Sequence, residues 1–115
     1  MSARNKQPDH DYDHRPHVHE YRNETSVDDR HRHRMEGVTG PVVQVGNSHI
    51  HYICGSTSFD DGHRHLYTDY TGPARYSRDN SHVHEYKGYV AHAGDPLHVH
   101  KYYDKTGPAI YNHFY

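Results

Sequence analysis

The chain has 115 residues, with 13 Lys and Arg, 15 Asp and Glu and 16 His, for a net charge of −2 with His neutral. That length suits one domain and leaves no room for a second independent core, and the faintly acidic balance disfavours nucleic-acid binding. Only sixteen residues are Leu, Ile, Val or Phe, below the level of about 20 % under which chains tend not to fold, and the single Cys54 excludes an intrachain disulfide.

The first 16 residues, Met1 to Pro16, form an N-terminal arm without the apolar stretch of a signal peptide. No segment reaches the roughly 20 apolar residues of a membrane span. The expected setting is therefore cytoplasmic, or outside the cell by a non-classical route, with no membrane partner. His10, Tyr12 and His14 alternate like a strand that can add to the sheet edge of a neighbouring copy, the alternative being a flexible polar tail.

From His17 onward the chain writes itself three times in units of about 33 residues, at 17–48, 49–81 and 82–115. Each unit reads H-x-H, a polar turn, a second H-x-H, then T-G-P and a short apolar stretch. The third unit alone departs, with the longer turn YVAHAGDP where the others have TSVDD and TSFDD. Residues 17–115 are thus expected to be a single β domain.

Val, Ile and Tyr cluster around the His pairs, and Gly, Pro, Asp and Asn punctuate the gaps, so each unit reads as a β-meander of three short strands. In the first unit these fall near Pro16–Arg22, Arg30–Glu36 and Pro41–Val45. The expected fold is all-β, three tandem meanders forming a small antiparallel β-sandwich or barrel. The T-G-P triplets at Thr39, Thr71 and Thr106 read as corners, with Gly supplying positive φ and Pro removing a strand donor.

Residues two apart on a strand face the same side, so each H-x-H presents both imidazoles together. The next residue on that face is Tyr21, Met35, Ile53, Tyr67, Tyr86 or Tyr102, and never a charge. The opposite face carries Glu20, Arg22, Arg32, Arg34, Arg64, Glu85, Lys87 and Lys101. The histidines are therefore expected to point inward.

If the two H-x-H strands of one unit pair, four imidazoles converge on one ion. The candidate ligand sets are His17, His19, His31 and His33; His49, His51, His63 and His65; and His82, His84, His98 and His100. Neutral imidazole suits zinc, copper or nickel. The alternative is a ladder of imidazoles that satisfies itself by hydrogen bonds, which requires no metal. Asp28–Asp29 and Asp60–Asp61 read as turn formers rather than calcium ligands. Cys54 alternates away from the His face and reads as a small buried residue.

The combination of H-V-H-E-Y at His17 and His82, T-S-F-D-D-G-H-R-H from Thr57 and T-G-P-A-I from Thr106 resembles the YmaF family of small bacterial repeat proteins. The resemblance spans His17 to Tyr115. It implies a repeat pattern and a bacterial origin, and carries no activity with it.

Two functions fit these features. The first is a metal-binding protein whose inward pairs bind, or are stapled by, transition metal in a homo-oligomer. The second is a structural subunit of a filament packed through His and Tyr without metal. Catalysis is not expected, because the inward face offers no regularly placed acid and three equivalent copies do not suit one active site.

Overall fold

The computed structural model describes residues 15–111. The N-terminal arm up to His14, with His10 and Tyr12, and the C-terminal His113 lie outside the described residues. The fold is all-β. Its strands are β1 (His17–Glu24), β2 (Arg34–Val38), β3 (Val42–Val45), β4 (Ser48–Ser56), β5 (Leu66–Tyr70), β6 (Ala74–Tyr76), β7 (His82–Tyr89), β8 (Lys101–Lys105) and β9 (Ala109–Tyr111).

These make three antiparallel sheets of three strands, ordered β9-β1-β2, β3-β4-β5 and β6-β7-β8. The first two strands of each unit pair with one another, as a meander requires. The third does not stay with them: β3 pairs with β4 of the second unit, β6 with β7 of the third, and β9 returns to β1. Each sheet is thus built from two units, and the last strand closes the ring on the first.

The barrel alternative does not form, and T-G-P gives the physical reason. The Gly40, Gly72 and Gly107 amides donate to the Tyr52, Glu85 and Glu20 carbonyls of the following unit. The proline after each has no N–H to continue a ladder. The chain therefore leaves one sheet and enters the next at this triplet. None of these three glycines has positive φ, which is found instead at Gly46, Gly62 and Gly94. The expectation that T-G-P needs glycine for a left-handed turn is corrected.

The second strand also begins later than expected, at Arg34 rather than Arg30. Asp29 and Arg30 take φ of 53° and 65°, and Asp28 and His31 bridge across this tight turn. His31 and His33 consequently precede β2. The same turn recurs at Asp60–His63, and a longer one at Ala93–His98.

The faces follow the expected alternation. Tyr21, Met35, Ile53, Tyr67, Tyr86 and Tyr102 are all buried and, with Val90, form the hydrophobic core. Of the residues assigned to the outer face, Glu20, Arg22, Arg32, Arg34, Arg64, Lys87 and Lys101 are exposed and Glu85 is half-buried. Cys54 does lie away from the histidines, but it is exposed rather than buried.

The Tyr rings fit because glycine lies opposite them: a Cβ at Gly37 would sit 2.7 Å from Tyr21 Oη, and one at Gly55 would sit 2.9 Å from Tyr67 Oη. Tyr21 and Tyr67 hydroxyls share a hydrogen bond of 2.8 Å, and the Tyr86 hydroxyl donates to Asn23 Oδ1.

Candidate metal centres

β1, β4 and β7 each begin with an H-x-H pair, and the ring closure brings these three ends together. His17, His19, His49, His51, His82 and His84 form one group, all six buried. The second pairs meet likewise at the turns: His31, His33, His63, His65, His98 and His100 form the other group, with His33, His65 and His100 buried and the rest half-buried. In each group the ligand nitrogens all lie within 4.8 Å of one another.

The four-histidine sets expected within single units are therefore not brought together. β2 pairs only with residues 20–24 of β1, whereas His17 and His19 pair with Tyr111 and Ala109 of β9. The two pairs of a unit are held at opposite ends of one long strand, with the Tyr, Met and Ile core between them. Each cluster takes one pair from every unit. His92 is exposed and belongs to neither.

The geometry is regular. The Nε2 atoms of His17, His49 and His82 form a triangle with sides of 3.2, 3.2 and 3.2 Å. Those of His19, His51 and His84 lie 3.2 Å from His82, His17 and His49 respectively. In the other cluster, His31 to His33 and His63 to His65 are 3.1 Å, His33 to His63 is 3.3 Å and His98 to His31 is 3.2 Å. An octahedron with 3.2 Å edges has its centre about 2.3 Å from each vertex, close to the metal–imidazole bond of roughly 2.0–2.1 Å known for zinc.

What the other ring nitrogen does decides the chemistry. Nδ1 of His19, His51 and His84 lies 2.8, 2.9 and 2.9 Å from the carbonyl oxygens of Gly107, Gly40 and Gly72. Nδ1 of His33, His65 and His100 faces the carbonyls of Ser58, Ala91 and Ser26 at 2.9, 2.7 and 2.9 Å. His17, His31, His63 and His98 each reach a carbonyl two residues earlier.

A carbonyl only accepts, so these Nδ1 atoms carry the proton and the neutral ring has a bare lone pair at Nε2. Where both rings are held this way, as in His17–His51 and throughout the turn cluster, the Nε2–Nε2 approach near 3.2 Å accordingly holds no shared proton. The self-satisfying imidazole ladder fails on this count in the turn cluster, where all six rings spend their one N–H outward. Nε2 of His100 is buried without a hydrogen-bond partner.

Burial favours the neutral form of six of these rings. It lowers His19 from 6.5 to about 2, His84 to about 3 and His51 and His65 to about 4; the carbonyl hydrogen bond opposes the shift and neighbouring imidazoles add to it. His33 and His100 are lowered for the same leading reason.

The sequence reading missed the residues that hold the histidine backbone in place. The hydroxyls of Thr39, Thr71 and Thr106 accept from the backbone N–H of His19, His51 and His84, and those of Thr25 and Thr57 accept from His33 and His65. The recurrence of Thr in all three T-G-P triplets was the available signal, because a corner needs Gly and Pro but has no use for a hydroxyl.

The described part of the chain is thus a ring of three β units carrying two clusters of six histidines, each within metal-binding distance. No family model, no curated protein and no solved structure matches the chain. Among the described residues no helix is long and apolar enough to cross a membrane.

Proposed function

We propose that this protein binds transition-metal ions, one in each six-histidine cluster, and that the ions complete a core the aliphatic side chains are too few to supply. One observation carries the reading: six imidazoles in each cluster bring their ring nitrogens within 4.8 Å of one another, and in the turn cluster all six send the Nδ1 proton outward and leave bare Nε2 lone pairs between them. Without a cation those lone pairs repel. With one, each becomes a bond, and the free energy of binding adds to that of folding.

Six nitrogen donors also narrow the metal. Structural zinc is almost always four-coordinate, whereas octahedral imidazole coordination suits nickel(II) or iron(II). A filled shell leaves no open position for substrate, which favours binding or a structural role over catalysis. Kinship with the YmaF family belongs to the same reading, resting on the shared H-x-H and T-G-P pattern.

The test is elemental analysis of protein purified without chelator or affinity metal, followed by thermal unfolding with and without EDTA. Two ions per chain and a substantial fall in melting temperature on chelation are expected. Metal-free protein that neither takes up nickel or iron nor responds to chelator would overturn the proposal.

A further inference from the structure

The two clusters share a donor set but differ in exposure and surroundings. Every imidazole of the strand-end cluster is buried, including His17, His49 and His82 at 1, 3 and 1 % exposure. In the turn cluster the His31 and His98 side chains retain 11 and 12 %.

Carboxylates stand behind this second cluster. Asp60 Oδ2 lies 3.5 Å from His33 Nδ1, Asp28 Oδ2 lies 3.5 Å from His100 Nδ1 and Asp61 Oδ2 lies 3.2 Å from His31 Nδ1. Each carboxylate comes from a neighbouring unit. Hydroxyls of Ser26 and Ser58 donate to Asp28 and Asp60 and hold them in place.

The third unit breaks this pattern. Ala93 occupies the bridge position of Asp28 and Asp60, and Gly94 lies so near that a Cβ there would come within 2.6 Å of His98 Cε1. The flank supplied by the long YVAHAGDP turn covers the imidazoles with bare backbone instead of an acid.

Resting on the metal-binding reading, we infer that the turn cluster is the exchangeable site, the one through which the protein takes up and releases a divalent cation, while the strand-end cluster holds its ion for the life of the fold. Access favours exchange at the turn cluster, since its outer imidazoles reach solvent. Asp28, Asp60 and Asp61, with Asp29 at 3.9 Å from His98 Nδ1, all reach solvent and draw a cation toward it. Carboxylates facing Nδ1–H make the rings more basic ligands, an outer-shell effect whose removal typically weakens metal affinity about 10–100-fold.

The experiment loads the full chain with nickel(II), establishes the stoichiometry, and then follows release to excess EDTA by absorbance. Two phases of equal amplitude are expected, the slow one limited by opening of the fold. In Asp28→Asn/Asp60→Asn, which keeps a side-chain oxygen for the serine hydroxyls, affinity at one site should fall about 10–100-fold with the slow phase unmoved. Asp61→Asn is a second variant that leaves both serine contacts intact, and Asn tolerates the φ of 55° at this position.

A single release phase for both ions, or substitutions that move the slow phase and not the fast one, would overturn the inference. A wild-type chain that loads no nickel overturns instead the metal-binding reading beneath it, which the initial stoichiometry reveals before any chase.

Discussion

The Nδ1–H of His19 donates to the carbonyl of Gly107 across 2.8 Å, joining residues 88 positions apart in the chain. This bond sets the tautomer of a buried imidazole, and it exists only because the third unit returns to the first. The same bond runs from His51 to Gly40 and from His84 to Gly72, so ring closure and imidazole orientation are one structural fact.

Acid should unfold the metal-free protein. The folded state holds His19, His84, His51 and His65 at about 2, 3, 4 and 4, whereas the unfolded chain protonates them near 6.5. Between those values the unfolded state binds more protons, so stability is level above pH 6.5 and falls as pH drops below it. By pH 5 each of the four costs on the order of 2 kcal/mol, together comparable with the whole stability of a typical domain. Urea unfolding in EDTA at pH 7.5, 6 and 5 checks this, and a midpoint independent of pH would contradict it.

Removing one ligand should empty one centre only. His51→Ala takes a nitrogen from the strand-end cluster and leaves the turn cluster intact. Bound metal should fall from two ions per chain toward one, by elemental analysis after gel filtration, with a lower melting temperature. His65→Ala should do the same for the other centre.

The threonines should matter unequally. Thr39→Val deprives the buried His19 N–H of its hydroxyl acceptor and should cost about 1–3 kcal/mol. Thr25→Val should cost less, because the third unit already carries Val90 at the equivalent position, with its amide on the His100 carbonyl. Chemical denaturation of the two variants side by side measures the difference.

Two glycines offer an opposite pair. A methyl group at Gly37 would press within 2.7 Å of Tyr21 Oη and disturb its bond to Tyr67, so Gly37→Ala should destabilise by about 1–3 kcal/mol. At Gly40 the nearest atoms lie 3.6 Å away, φ is not positive and the carbonyl that receives His51 is retained, so Gly40→Ala should stay within about 0.5 kcal/mol of the parent. Equal losses would show that the Tyr packing is not what requires glycine.

Ending the chain at Pro108 should open the ring. β9 supplies the backbone partners of His17 and His19, so its loss strips the strand-end cluster of its support. The expected outcome is a large fall in stability and loss of one metal centre, read by thermal unfolding and metal content.

By itself the sequence determined the β architecture, the three units and the inward face of every H-x-H pair. These are local properties: strand alternation, together with a Tyr, Met or Ile two residues beyond each pair, is enough to say which side meets water. It also identified the six residues that follow the pairs as core. It did not determine which histidines meet. Period-two alternation is silent about how far one strand slides along another, and here β2 engages only the far half of β1, which separates the two pairs of each unit and joins each with its counterparts in the other two. Tertiary structure alone decided that the four-histidine sets expected within units became six-histidine clusters between them. It also turned T-G-P from a corner into the source of the glycine carbonyl that orients the next unit's imidazole, because that partner comes from another unit and only closure of the ring brings it into reach.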